Sequence, residues 1–99
     1  MKHVIKPADQ REFDGADTWY RSQSARTATR FHTKVLELFT RLTQHPEHFA
    51  VEWRDIREAL VRGFPYAAYF RAGTLARTIY SVFHTARDPE IWHARVDAD

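Results

Sequence analysis

Apolar positions follow a helical period up to about Gln44 and a period of two beyond it. From Ala8 to about Gln23, the residues Phe13, Ala16, Trp19 or Tyr20, and Gln23 recur at steps of three and four, which predicts an amphipathic helix. Asp9, Glu12 and Asp14 lie in its first turns, where the helix dipole favours negative charge. Gly15 weakens that helix by about 1 kcal/mol against Ala and leaves room for a close helix crossing. Ser24 or Thr27 can cap a second, stronger helix running to about Gln44. Its stripe is Ala28, Phe31, Val35, Leu38 or Phe39, and Leu42, with Arg30, Lys34, Glu37 and Arg41 off it. Pro46 stops it. Almost nothing separates the two helices, so they are expected to pack antiparallel as a hairpin.

After a loop with His45, Pro46, Glu47 and His48, the residues Ile56, Glu58 and Leu60 alternate with Arg57, Ala59 and Val61. Gly63 breaks that run. Phe64 to Arg71 reads as the next strand, Ala72-Gly73 as a turn and Thr74 to Phe83 as the last long strand, which makes an antiparallel meander. Asp88 suits the N-cap of a short helix from Pro89 through Arg95. Residues 3–6, closed by Pro7, make a short strand ahead of the first helix. The order is β-α-α-β-β-β with a short C-terminal helix. The hairpin must bury its stripe, and one sheet face is the surface on offer, so a two-layer α+β domain over residues 1–99 is expected. The other face, or the sheet edge, is left for a partner. If Ile56 faces the helices, Arg57 faces that open side.

Composition sharpens this picture. A chain of 99 residues with 43% hydrophobic content reads as one folded domain rather than a disordered segment. No apolar run approaches about 18 residues and the opening lacks an apolar signal region, so neither a membrane span nor secretion is expected. The absence of cysteine excludes disulfides and thiolate-bound zinc, and agrees with a reducing cytoplasm. Charge is unevenly spread. Between Arg54 and Arg87, six Arg stand against Asp55 and Glu58, a local +4. From Asp88 to Asp99, Arg95 stands against four acids, a local −3. Twelve of the fifteen basic residues are Arg. Its planar fork suits carboxylate and phosphate, although GC-rich coding produces the same bias.

Several chemistries find no support. His45-Pro46-Glu47-His48 has two imidazoles and a carboxylate but no further close ligand, so no metal is expected there. No Gly-x-Ser-x-Gly and no glycine-rich phosphate loop occurs, and no cofactor is expected.

The last third carries the remaining signal: Phe64-Pro65-Tyr66-Ala67-Ala68-Tyr69-Phe70-Arg71, then Val82-Phe83-His84, then Arg87-Asp88-Pro89 to Trp92 and Arg95. Taken with Ala8-Asp9-Gln10-Arg11-Glu12-Phe13, Trp19-Tyr20, Phe31, His45-Pro46 and Ile56-Arg57-Glu58-Ala59-Leu60-Val61, this order resembles the RelE/ParE superfamily of bacterial type II toxins, once described as plasmid stabilisation proteins. The resemblance covers nearly the whole chain. It implies a cytoplasmic toxin held silent by a cognate antitoxin, in a heterotetramer or larger complex among the assemblies it allows. One branch cleaves mRNA on the ribosome with clustered basic residues and a Tyr or His. The other, ParE-like, poisons DNA gyrase. Tyr66 or Pro65 stands where the nuclease branch has a basic residue, and Trp92 where it has a C-terminal Tyr. The wording Phe-Pro-Tyr and His-x-x-Arg-Asp-Pro-x-x-Trp lies closer to the ParE-like branch.

What survives of a nuclease set is His84, Arg57 and Arg87. RNA cleavage through the 2′-hydroxyl needs a base, an acid and a cation. A His titrating near about pH 6.5 can be either of the first two, and the two Arg could supply the third. The bland reading is that His84 hydrogen-bonds its turn and that the Arg side chains are solvated or locally paired. The candidate partner surface is Arg57, Tyr66, Arg71, Arg87, Trp92 and Arg95, since Trp and Arg dominate interface hot spots. For Trp92 the competing role is to pack the terminal helix on the sheet.

Overall fold

The computed structural model describes residues 2–5, 7–74 and 76–98, with side chains from Gln10 onward. Lys6, Leu75 and Asp99, which belong to the expected strands and the acidic tail, lie outside the described residues, as does the Asp9 side chain. Strand β1 (Lys2–Ile5) leads into α1 (Pro7–Gln23) and α2 (Ala25–Gln44). A 3-10 turn at Pro46–His48 follows, then β2 (Val51–Trp53), β3 (Ile56–Leu60), β4 (Tyr66–Ala72), β5 (Ala76–His84) and α3 (Glu90–Asp97). The five strands lie in the order β1-β5-β4-β3-β2, with β1 parallel to β5 and the other pairs antiparallel. The class is α+β, and the meander is formed by β3, β4 and β5.

Only Ser24 separates the two long helices. Its hydroxyl accepts the Thr27 N–H at 3.3 Å, the expected cap. The α2 stripe buries Ala28, Phe31, Val35, Leu38, Phe39 and Leu42. From α1, Ala16 and Tyr20 join this core, and the Trp19-or-Tyr20 ambiguity resolves with Trp19 outward. The sheet contributes Ala59, Val61, Ala68, Phe70, Ile79 and Val82. Gly63 turns the chain between β3 and β4 at φ +85°, a conformation that glycine takes without a side-chain clash.

Four features depart from the reading of the sequence, the first being the three-residue strand β2 at the edge of the sheet. The expected two layers are three, because α3 covers part of the second sheet face. Trp92 and Val96 pack there with Ile56, Ala67, Tyr69, Tyr80 and Phe83, and Trp92 is only 1% exposed. A large ring with one face of a sheet beneath it is more stable buried than left in water. In β3, Ile56 does not face the helical hairpin. Ile56 faces α3, while Ala59 and Val61 face the hairpin, so Arg57 lies on the helix side. Gly15 makes no close crossing, since a methyl group there would meet nothing within 4 Å.

A bulge disturbs β5. Tyr69 stands opposite Ser81 but Phe70 opposite Ile79, which leaves Tyr80 as the extra residue. Beyond it, Pro89 rather than the expected Asp88 takes the N-cap position of α3, the Asp88 carboxylate one residue earlier still accepts the Glu90 N–H at 3.0 Å, and the helix continues past Arg95 to Asp97.

Candidate functional site

β1 pairs with β5 only as far as Ile79, so the last residues of β5 have no strand on their outer side within that pairing. There α1 passes over the sheet end and leaves a concavity of about 320 Å³. Glu12 and Trp19 line it from α1, and Tyr66, His84 and Arg87 from the sheet and the following turn. Gly15 and Ala16 give it depth, because neither presents a side chain larger than a methyl group. Trp19 is 57% exposed at its rim.

His84 ends β5 directly opposite Tyr66, the two rings edge-on at 5.2 Å. Its Nδ1 accepts the Ala86 N–H at 3.1 Å and its carbonyl accepts the Arg87 N–H at 3.1 Å. The imidazole therefore holds the turn, and a neutral ring in this arrangement carries its proton on Nε2. The Arg87 guanidinium lies 4.7 Å from the Phe83 ring centre. Tyr66 is half-buried against Phe31 and Tyr20. Burial pushes its hydroxyl up from the usual phenol value; the Arg87 charge opposes this and Glu12 adds to it.

Arg57 is elsewhere. It pairs with Phe70 across β3 and β4, whereas His84 pairs with Tyr66. Those two positions on β4 are separated by about 13 Å of strand at about 3.3 Å per residue. The Arg57 Nη1 donates to the Phe49 carbonyl at 2.7 Å and so pins the loop that follows α2.

The remaining candidates are engaged within the chain. Arg71 donates to Asp55 Oδ2 and to the Tyr80 hydroxyl, each at 2.8 Å. Arg71 in turn holds the Asp55 carboxyl below its usual range, mainly through that hydrogen bond. Trp92 stacks on Tyr69 at 4.2 Å beneath α3. Arg95 grips Glu12 with two guanidinium nitrogens, at 2.6 and 3.1 Å. The structure thus gathers His84, Arg87 and Tyr66 in one cleft and leaves Arg57, Arg71, Trp92 and Arg95 in structural contacts. Glu12 and Trp19 are cleft residues that the sequence reading did not select. Trp19 carried a signal, as one of two rings competing for a single stripe position. Glu12 carried none beyond helix-start charge, since its partner lies 83 positions away.

A second hollow, of about 260 Å³, lies between α2 and β3. Lys34, Arg41 and Arg62 line it with Glu37, beside Leu60, which is 61% exposed. Two arginines of the sheet segment form ion pairs within the chain, Arg54 with Asp97 and Arg71 with Asp55, and Arg77 donates to the Gly73 carbonyl. At this hollow Lys34 pairs with Glu37 at 3.3 Å, while Arg41 and Arg62 are exposed.

A helical hairpin over a meander, with an aromatic and arginine-bearing cleft at the sheet end, is the build of a small toxin of the RelE/ParE superfamily. The family model described as the ParE toxin of the type II toxin–antitoxin system, parDE, matches residues 4–89, and the chain belongs to that family. Membership implies a cognate antitoxin. No curated protein matches the chain closely enough to count as a relative. Among the described residues, no helix is long and apolar enough to cross a membrane.

Proposed function

We propose that this toxin acts by binding and inhibiting DNA gyrase without cutting RNA, and that a net acidic antitoxin neutralises it. One observation carries the choice of mechanism. Arg57 and His84, two of the three groups needed for RNA cleavage, sit at separate pairs of the sheet and are each committed to a backbone partner. A phosphorane formed at His84 would have Arg87 near it but not Arg57. Family membership supports the same branch. The acidic partner is supported by the hollow between α2 and β3, where Arg41 and Arg62 offer cations to a carboxylate beside the apolar Leu60.

A second reading, ribosome-dependent mRNA cleavage, draws on a different grouping. His84, Arg87, Glu12 and Tyr66 face one cleft and include an imidazole, a cation and a carboxylate. Two assays on the purified, antitoxin-free chain separate the readings. The expected result is loss of gyrase supercoiling with intact mRNA ends in a reconstituted translation reaction. New cuts at ribosomal A-site codons, abolished by His84→Ala, would overturn the gyrase reading.

A further inference from the structure

We propose that the His45–Pro46–Glu47–His48 turn binds one divalent transition-metal ion through both imidazoles and the Glu47 carboxylate, leaving coordination positions open to water or a partner's side chain. In the sequence this motif lacks a fourth close ligand. The fold brings the three together all the same.

The turn is built for this. α2 ends at Gln44, and the His45 N–H caps it by donating to the Arg41 carbonyl at 2.8 Å. Pro46 then fixes the backbone angle at the first position of a 3-10 turn, closed by the His48 N–H donating to the His45 carbonyl at 3.1 Å. A 3-10 turn has about three residues per turn, so side chains three apart eclipse. Accordingly the His45 and His48 rings lie parallel, 4.8 Å between centres and 11° apart. Glu47 Oε1 lies 3.5 Å from His45 Nδ1 and 3.9 Å from His48 Nε2.

One donor atom from each residue falls within 4.8 Å of the other two. Ligand bonds of about 2.0–2.2 Å place neighbouring donors about 3.0–3.6 Å apart; the parallel rings hold their lone pairs in separate planes, so the two exposed imidazoles must turn out of the stack to face one ion. The C-terminal end of α2 adds a negative dipole that favours a cation. Downstream, Arg57 pins the Phe49 carbonyl and limits how far the turn can relax. Two imidazoles with one carboxylate suit zinc, nickel or copper rather than calcium or magnesium, which prefer oxygen. Three protein ligands leave the site open rather than closed.

The test is calorimetric titration of the untagged, chelator-stripped full chain with Zn²⁺. One ion per chain is expected. His45→Ala and His48→Ala should each weaken binding about tenfold or more, since even the groups behind metal ligands are worth that much. His32→Ala, on the exposed side of α2, should leave binding unchanged. All three positions are on the surface, and circular dichroism verifies folding. Absence of saturation at one ion per chain would overturn the site, as would affinity kept within threefold in the His45→Ala/His48→Ala double variant.

Discussion

Glu12 and Arg95 join α1 to α3 around the outer edge of β5, with guanidinium and carboxylate in two-point contact at 2.6 and 3.1 Å. The same Arg95 reaches the Tyr80 carbonyl at the bulge, at 3.4 Å, and Glu12 accepts from the Ser81 hydroxyl at 2.8 Å. The two side chains are 26% and 14% exposed, so neither is well solvated when its partner is lost. Arg95→Met is therefore expected to cost about 2 kcal/mol in urea unfolding, mostly from the stranded carboxylate. Glu12→Gln should cost less, because its amide oxygen still accepts from Ser81. Equal losses would show that Glu12 does not depend on the charge of Arg95.

The two cores differ in what their central rings secure. Phe31, fully buried, touches Phe13, Tyr20, Phe64 and Tyr66. Phe31→Ala should cost about 3–5 kcal/mol and lower the stability of the whole chain. Trp92→Ala removes a ring of similar weight but anchors α3 alone. Hydrogen exchange should then show loss of protection over Glu90–Asp97, with α2 still protected. Uniform loss across both helices would mean that α3 is not a separate unit.

Alkaline pH should destabilise the fold. Burial raises the Tyr69 hydroxyl well above the ordinary phenol range, and its hydrogen bond to Glu58, at 2.8 Å, adds to this. Tyr20 and Tyr66 are shifted the same way, chiefly by burial. A raised folded value means that the folded state holds its protons more tightly than the unfolded one. The contribution is complete below the unfolded phenol value of about 10 and is lost as pH rises above it. Stability measured from pH 8 to 12 should fall beyond about pH 10, and Tyr69→Phe should make that fall shallower. A flat profile would contradict the burial of these hydroxyls.

At the cleft, the proposed gyrase mechanism predicts that His84→Ala leaves inhibition within about threefold, since its imidazole serves the turn. A general acid or base would lose on the order of 10²–10⁴ in rate. Arg57→Ala should cost about 1–2 kcal/mol through the freed Phe49 carbonyl and leave inhibition unchanged. Loss of inhibition in a folded Arg57→Ala protein would return that residue to the functional surface.

Sequence alone reached the helices because α2 carries an unbroken stripe, and the meander because Gly63 and Gly73 mark its turns. It missed β2, whose three residues contain a register shift and so show no period of two. It had no means to orient β3, because sliding an alternating strand by one residue exchanges its faces. β4 and β5 are buried over most of their length on both sides, which removes the alternation that would have revealed α3 on the second face. At the site, His84, Arg87 and Tyr66 were legible from their clustering near strand ends. Arg57 was misplaced because its partner, a loop carbonyl, leaves no trace in side-chain pattern.

β1 and β5 are neighbours in parallel register, Lys2 beside Ala76 and Ile5 beside Ile79, with both long helices and the rest of the sheet between them in the chain. Every other strand pair closes over a short turn. Forming this one seam requires most of the chain to be gathered first, and such distant closure is the slow part of folding small proteins. Refolding of this toxin is therefore expected to be slowed by an early strand waiting for a late one, and stopped-flow refolding is where that delay would be read.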